Sequence, residues 1–547
     1  MSSRPNEIQV KDIDHLGIVA GIVDEIGLAE QVDELLGTHP QAVVSLGQVL
    51  KAMILNGLGF LSAPLYLFSE FFEGKAIEHL LGDGIAASHL NDDRLGRALD
   101  CFYEYGVTQL FTTLALRAAE KFGVERERVH LDSSSMAVEG QYVQDEPPSS
   151  EVSGEPEKPC PIEITYGYSR DRRPDLKQFL IDTICSGDGD VPLYLRVANG
   201  NEVDSVGFGQ VVQEYLHQWQ FDGLLVADAA LYTAENLKRL QGLKWISRVS
   251  LSLSQAQEEI RQVVPFAEWE GLAQGYRLIE VCTTYAEVAQ RWVVVESEKR
   301  READLKALQK RIKQEEQRQQ RQLDQLCKES FACEADALKA AKKFEQTLRY
   351  CRLNQVSVVT KAHHGKRGRP QQNSQPQSHS YHLQATLVGN LEAIEEQQRI
   401  AGRFILATNV LECASLSAVE VLAEYKKQQA SERGFRFLKD PLFFTSSVFL
   451  KSQQRIMALA MVMALCLLVY TLAQRKLRQA LSAAQTGIPN QLGKLTDTPT
   501  MRWVFQCFQA IHLVMVAGHK QISNLTPQRL KILQFLGASC ARYYLLE

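Results

Sequence analysis

The sequence predicts an α/β fold with helical regions at both ends. Apolar residues recur at helical spacing through residues 1–125. From Arg128 to Leu240 the pattern changes to strand, strand, strand, helix, strand, helix. This alternation is typical of helices layered on a sheet. From Ser452 onward the chain is helical again, apart from a linker at residues 487–500.

The pattern suggests five segments. We expect a helical N-terminal domain at 1–125, with a cap near Asn91 and no strands. A first part of the α/β core follows at 126–243, with Thr233 capping its last helix. Residues 244–400 are predicted to be an insertion of antiparallel strands and charged helices, whose arm at 297–350 is a solvated helix or helical hairpin. The core resumes at 401–480, and a helical C-terminal region fills 481–547.

Composition narrows the class of protein. The chain has 547 residues, 45% hydrophobic and 23% charged, which is the balance of a folded globular protein. The net charge of -5 argues against a uniformly basic nucleic-acid coat but leaves local basic patches open. Eleven cysteines without a CxxC pair indicate reduced thiols rather than a zinc site. The N-terminal sequence has no apolar signal-peptide core.

One apolar segment allows two interpretations. Ile456 to Ala473 runs without a charge and is close to the length of a membrane-spanning helix. A helix buried on all sides in a large core has the same composition. We favour the core helix, because the segment is rich in Ala and Met and stands alone.

Three carboxylates stand at positions suited to metal chemistry. Asp132 follows the apolar run VHL and Asp228 follows LLVA, so each is expected at the end of a strand. A helix that starts at Ser417 presents Tyr425, Gln428, Glu432 and Lys439 at helical spacing, on one face. Oxygen ligands of this type suit two divalent ions that activate a nucleophile and stabilise a leaving oxygen. Alternatively, each Asp is a turn residue and the helix face is a solvated surface.

The combination resembles the bacterial insertion-sequence transposases of the DDE class, the insertion-sequence-four-like superfamily with a Tyr-x2-Arg-x3-Glu-x6-Lys signature. Similar stretches are YGYSRDRRPDLKQ, ATNV, RFLKDPLFF and PTMRWVFQCF. The resemblance implies an RNase H-like catalytic core with an insertion domain. It also implies that Asp132, Asp228 and Glu432 are the catalytic residues and bind two Mg²⁺ ions, with Mn²⁺ as a substitute. Expected partners are the element's terminal inverted repeats and target DNA, with a homodimer on DNA and no membrane. The expected location is the bacterial cytoplasm, with the nucleoid.

Two groups of residues are expected to contact DNA. One group lies on and around the predicted catalytic helix and comprises Tyr425, Lys426, Gln428, Arg433, Arg436 and Lys439. The other group follows the second predicted strand and comprises Arg170, Arg172, Arg173 and Lys177. Gln428 departs from the signature, since it lacks the charge and the bidentate fork of Arg. Lys366–Pro370 also resembles the core of a minor-groove-binding hook.

Two other functions remain open at this stage. A nuclease of the same fold would use the same metal ions without strand transfer. A catalytically inactive DNA-binding relative would act as a regulator, and Gln428 is the feature that favours it. The serines after Asp132 lack the G-x-S-x-G pattern of a hydrolase nucleophile, and we expect them to shape a turn beside the metal site.

Overall fold

The computed structural model describes the chain except for residues 1–7, 61–66, 141, 143–159, 220, 263–268, 273–274, 364–377, 441–449 and 547. For residues 216–219, 262, 270 and 429–433 it describes the backbone only. The chain forms two compact units. The first comprises residues 1–247, 284–290 and 408–547, and the second comprises 248–283 and 291–407. The hook-like motif at 366–370 lies outside the described residues.

The helices in the described parts of the chain are, in order, α1 (Leu16–Ile26), α2 (Leu28–Leu36), α3 (Leu46–Leu58), α4 (Phe68–Phe71), α5 (Ile77–Leu81), α6 (Asp92–Tyr105), α7 (Val107–Lys121), α8 (Asp204–Trp219), α9 (Ala234–Arg239), α10 (Ser254–Gln262), α11 (Glu298–Lys328), α12 (Glu334–Glu345), α13 (Leu391–Ile400), α14 (Ala418–Lys427), α15 (Gln429–Leu438), α16 (Gln453–Ala483), α17 (Met501–Cys507), α18 (Pro527–Leu536) and α19 (Ala538–Ala541).

The strands are β1 (Ile8–Asp12), β2 (Arg128–Val138), β3 (Lys177–Ser186), β4 (Pro192–Ala198), β5 (Leu224–Ala227), β6 (Lys244–Val249), β7 (Glu270–Leu272), β8 (Tyr276–Tyr285), β9 (Val288–Ser297), β10 (Cys351–His363), β11 (Ser378–Gly389), β12 (Arg403–Thr408), β13 (Ile488–Pro489), β14 (Leu495–Thr496), β15 (His512–Val516) and β16 (His519–Ile522).

The mixed sheet of the first unit confirms the predicted α/β alternation. Its strands run in the order β4-β3-β2-β5-β6. Strand β3 is antiparallel to both of its neighbours, β2 and β4, and β3 and β4 form a hairpin. Strands β2, β5 and β6 are parallel. Thr233 caps α9 as predicted, because its hydroxyl accepts a hydrogen bond from the Asn236 N–H at 3.2 Å.

Residues 8–125 are mostly helical, as predicted. Asn91 caps α6 by accepting a hydrogen bond from the Arg94 N–H at 2.9 Å. The expectation of no strand in this region is wrong, because β1 pairs antiparallel with β15 near the other end of the chain. The expectation of an all-helical end after Ser452 is wrong for the same reason, since β15 pairs in turn with β16. Two chain segments far apart in sequence supply each other's backbone partners.

Helix α16 contains the apolar segment 456–473 and has the length and composition of a membrane span. In its most apolar stretch 83% of the residues are buried within the protein. The helix packs against α1, α3, α6, α7 and α18, all in the first unit. Its buried Arg475 donates hydrogen bonds to the carbonyls of Phe122 and Gly123 at 2.9 Å. This packing is that of a core helix.

The second unit is built from antiparallel strands and charged helices. Strands β12, β9, β8 and β7 are neighbours in that order, and β10 and β11 form a long two-stranded ribbon. The charged arm is helical as predicted, with the 31-residue α11 followed by α12. Few of the α11 side chains are buried, among them Leu308 and Leu323. Strand β12 lies in this unit except for its last residue, whereas the sequence grouped it with the core.

Candidate active site at the ends of the parallel strands

The two candidate aspartates follow directly after paired residues of neighbouring strands. The parallel ladder between β2 and β5 ends at the pair Leu131 and Ala227. Asp132 continues β2 and Asp228 directly follows β5, each one residue after backbones that a sheet holds about 4.8 Å apart. The expectation that Asp132 ends its strand is wrong. Strand β2 continues to Val138, because its other edge remains paired with β3.

Local hydrogen bonds orient both aspartates. Asp132 Oδ1 accepts a hydrogen bond from the Ser133 N–H at 2.9 Å, and the residue is buried. Asp228 Oδ1 accepts one from the Ala230 N–H at 2.8 Å, as in an Asx turn. The Ser247 hydroxyl donates to the Asp228 carbonyl at 2.7 Å. The serines after Asp132 were expected in a turn, but they lie inside β2 and are paired with β3.

The helix predicted to carry the third carboxylate forms from Ser417 onward. The Ser417 hydroxyl accepts a hydrogen bond from the Glu420 N–H and the Glu420 carboxylate accepts one from the Ser417 N–H, which makes a capping box. Gln428 separates α14 from α15 but keeps right-handed helical angles. Glu432 therefore lies one helical turn beyond Gln428. The side chains of Glu432 and Arg433 lie outside the described residues.

Gln428 joins this helix to the strand of Asp132. Its side chain is only 7% exposed, and Nε2 donates a hydrogen bond to the Leu131 carbonyl at 3.2 Å. Helix α15 also packs against β2. Because residues four apart share a helix face, the backbone of Glu432 continues along the face that Gln428 holds against β2. Gln428 thus contacts the strand backbone in the DNA-free protein. Its expected contact with DNA stays a prediction.

A layer of buried polar groups lies beneath the helix. The Glu424 side chain is almost fully buried, and it forms ion pairs with Arg128 and, at 3.0 Å, with Lys427. His130 is two residues before Asp132 on β2. Burial lowers the pKa of His130 to about 4, although the nearby Glu424 opposes this shift. Burial therefore favours the uncharged imidazole of His130.

A buried charged cluster on and after β3 and β4 was not predicted from the sequence. Asp182 lies opposite Ser133 and is buried, and its carboxylate contacts Arg196 Nη1 at 2.9 Å. Arg196 also contacts Glu202 at 2.7 Å. Burial raises the pKa of Asp182, and the charge of Arg196 opposes this effect. The sequence feature that could have indicated this cluster is an acidic residue within the apolar run of β3. We regard the cluster as structural, because Asp182 is ion-paired.

Three of the four basic residues in the group at 170–177 are paired with acids or backbone. Arg170 forms an ion pair with Asp204, and Arg173 forms one with Asp175 at 2.8 Å. Lys177 Nζ donates a hydrogen bond to the Tyr142 carbonyl at 2.8 Å. Arg172 is exposed and has a positive φ of 58°. Residues 170–177 carry four basic and two acidic side chains, so the loop keeps a net positive charge.

The structure brings the two predicted basic clusters together. Lys439, directly after α15, donates to both carboxylate oxygens of Asp171 at 2.8 Å. Asp171 lies in the loop between Arg170 and Arg172, so α15 ends against that loop. Arg436 is exposed, whereas Tyr425 and Lys426 are half-buried.

The donor set near the ends of β2 and β5 fits a hard divalent cation. Carboxylate oxygens are the ligands that such ions prefer, and two of them lie on adjacent backbones. Among the described side chains no cluster of three or more His, Cys, Asp or Glu residues has metal-binding geometry. The side chain of Glu432, the third predicted ligand, is not among them.

A cavity of about 1180 Å³ lies at the opposite ends of the same strands. Its lining includes Arg128, Leu224 and Lys244, which are the first residues of β2, β5 and β6. The cavity does not include Asp132 or Asp228. The candidate site is thus at the strand ends away from this cavity.

Two known protein families match parts of this chain. Residues 125–469 match the family model described as the transposase DDE domain, and residues 8–116 match a domain of unknown function, DUF4277. The first match spans more than half of the chain. The chain therefore belongs to the DDE transposase family, a class of enzymes that act on DNA and generally use divalent metal ions. No curated protein matches the chain.

Proposed function

We propose that this protein is a cut-and-paste DNA transposase. It binds the terminal inverted repeats of its element, cleaves the DNA there and joins the freed 3′ ends to a target. The observation that carries the proposal is the placement of Asp132 and Asp228 directly after the last pair of the β2–β5 ladder. The family match adds the reaction class.

We assign the core of the first unit to the RNase H-like fold. The strand order β4-β3-β2-β5-β6, with the first three strands antiparallel and the last two parallel to β2, supports this assignment. The second unit then corresponds to the insertion between the second aspartate and the glutamate. Its residues, 248–283 and 291–407, fall within that interval.

Asp132, Asp228 and Glu432 would hold two Mg²⁺ ions, with Mn²⁺ able to replace them. Bound in pairs, such ions lower the pKa of water and stabilise both oxygens of an in-line displacement at phosphorus. The protein's own contribution is to fix the carboxylates. The sheet sets the spacing of the two aspartates, and Gln428 anchors the helix of Glu432 through the Leu131 carbonyl.

DNA would lie along the catalytic helix and the loop at 170–177. Lys439 and the exposed Arg436 are placed on the helix side, with Tyr425, Lys426 and Arg433 on the same helix pair. Arg170, Arg172, Arg173 and Lys177 supply the loop side. Gln428 acts as an anchor for the helix rather than as a phosphate ligand, because its amide is bonded to β2. Cleavage by a homodimer on DNA in the bacterial cytoplasm, near the nucleoid, belongs to the same proposal.

The test is cleavage of a labelled DNA that carries the element's own ends, with Mg²⁺ and with EDTA. Wild type should cut at the ends with Mg²⁺ only, and Glu432→Ala should not cut. Asp222→Ala is the matched control. Asp222 is a carboxylate at the other end of β5, 96% exposed in its side chain, and its loss should leave cleavage intact.

A second candidate function is an inactive DNA-binding relative. The uncharged Gln428 at the signature Arg position favours it. Wild type that binds the ends without cutting them in Mg²⁺ or Mn²⁺ would support this candidate against the proposed transposase.

A further inference from the structure

Two tyrosines near the candidate active site are unusually exposed. Tyr166 is 58% exposed and Tyr168 is 87% exposed. They continue an alternating row in which Ile162 and Ile164 are buried. Alternate residues of an extended segment share one side. Along this side, buried isoleucines are therefore followed by exposed tyrosines.

Close backbone packing holds this segment in place. Thr165 and Gln178 exchange two backbone hydrogen bonds, at 3.2 and 2.9 Å. Gly167 is packed so closely that a Cβ there would lie 1.9 Å from the Gly200 carbonyl oxygen. The buried Gln178 amide donates to the carbonyls of Gly200 at 2.7 Å and Tyr168 at 3.3 Å. Gly167 therefore faces inward, and the two tyrosines on either side of it face outward.

The segment is tied to the strand of the candidate metal ligands. The Arg170 N–H donates a hydrogen bond to the Ser135 hydroxyl at 3.2 Å. Ser135 is three residues beyond Asp132 on β2, a distance of roughly 10 Å along a strand. Arg170, Arg172 and Arg173 follow the tyrosines directly. The tyrosines and arginines thus lie on a segment that is bonded to the strand of Asp132.

We infer that Tyr166 and Tyr168 form a stacking surface for unpaired nucleobases at the DNA end, with the neighbouring arginines on the phosphates. The inference rests on the proposed function and adds a subsite to it. Bases within a duplex are already stacked on both faces, whereas an unpaired base offers a free face to an aromatic ring. A rigid backbone keeps the ordering cost of such a contact low.

Base stacking requires the flat face of an aromatic ring, and an apolar side chain of similar size does not replace it. A stacked base gains from ring overlap, and Arg can extend the stack while it contacts the backbone. A leucine at position 168 would keep an apolar side chain but offer no ring. A phenylalanine would keep the ring and lose only the hydroxyl.

The experiment measures DNA binding by fluorescence anisotropy in EDTA, so that cleavage does not interfere. The two probes are a blunt duplex carrying the element end and the same duplex with a short unpaired extension that contains 2-aminopurine. Wild type should bind the extended probe more tightly and quench the 2-aminopurine. Tyr168→Ala and Tyr168→Leu should each weaken binding to the extended probe by about 5- to 100-fold, with no effect on the blunt probe. Tyr168→Phe should retain wild-type binding.

Several results would overturn the inference. Equal losses on both probes, or no loss in Tyr168→Ala, would exclude stacking while leaving the proposed transposase intact. A change of oligomeric state in Tyr168→Ala, measured by sedimentation, would show that the tyrosines contact a second copy of the chain instead. Failure of wild type to bind either probe would overturn both the stacking and the proposed function.

Discussion

Removal of the Asp171 carboxylate should strengthen DNA binding. Asp171 holds Lys439 through two contacts of 2.8 Å. From the family resemblance, we expect Lys439 to contact the DNA strand near the scissile phosphate. A phosphate must then compete with Asp171 for the same ammonium group. Asp171→Asn removes the competing charge while keeping the size of the side chain.

The expected magnitude follows from the exposure of the pair. The Lys439 and Asp171 side chains are 23% and 37% exposed, so solvent screens their attraction. Partly exposed pairs of this kind contribute up to about 1 kcal/mol. Release of Lys439 should therefore tighten DNA binding by at most about 5-fold at low salt. The gain should shrink as salt rises, because salt screens charges near the surface.

The assay is anisotropy of labelled end DNA in EDTA, at low and at physiological salt. Asp100→Asn is the matched control. Asp100 pairs with Arg455 between α6 and α16 at similar exposure, 40% and 37%, outside both basic clusters. Its loss should leave DNA affinity unchanged. Weaker DNA binding by Asp171→Asn would refute the reasoning, because Asp171 would then be positioning Lys439 for DNA rather than competing with DNA.

Three further predictions concern the fold and the helix anchor. Gln428→Ala should lower the free energy of unfolding by about 1 kcal/mol and slow cleavage, with DNA affinity unchanged; weaker DNA binding at unchanged stability would make Gln428 a phosphate contact. Leu465→Ala, in the buried part of α16, should cost about 2–5 kcal/mol in chemical denaturation, and a negligible cost would contradict the core-helix interpretation. Burial lowers the pKa of His15 to about 4 from its ordinary value near 6.5. Protonation therefore favours the unfolded state, so stability should be complete above pH 6.5 and fall by up to about 3 kcal/mol toward pH 4. His15→Gln should reduce that fall in denaturation at each pH, and an identical pH profile would exclude His15 as its cause.

Features with local causes could be predicted from the sequence. Asn91, Thr233 and Ser417 cap helices because a short polar side chain accepts a hydrogen bond from the N–H three residues later. The sheet alternation of the first unit follows equally from nearby apolar spacing. These signals need no knowledge of distant parts of the chain.

Features with distant causes could not be predicted. Ile8 pairs with Val516, and neither segment alone shows which partner it will find. The polar residues after Asp132 predict a strand end at that position. The structure continues the strand because β3 supplies a partner on one edge after β5 has ended on the other.

The candidate site shows the same division. Predicted strand ends and helical spacing proposed Asp132, Asp228 and the helix of Glu432 as candidates, and their role stays a prediction. Spacing also placed Gln428 on the face with Glu432, but it could not reveal that its amide would bind the Leu131 carbonyl. The Lys439–Asp171 pair joins residues 268 positions apart, which spacing within one helix cannot predict.

The central claim is that Asp228 is a ligand of the catalytic metal ions. Replacing its carboxylate with a thiolate tests this claim most directly. A thiolate is a poor ligand for Mg²⁺, which prefers oxygen, and a better one for softer transition-metal ions such as Mn²⁺. Asp228→Cys should lose cleavage of the end DNA with Mg²⁺ and regain part of it with Mn²⁺. Asp222→Cys, at the other end of β5, should cleave with both ions. Wild-type cleavage by Asp228→Cys with Mg²⁺ would contradict the assignment of Asp228 as a metal ligand.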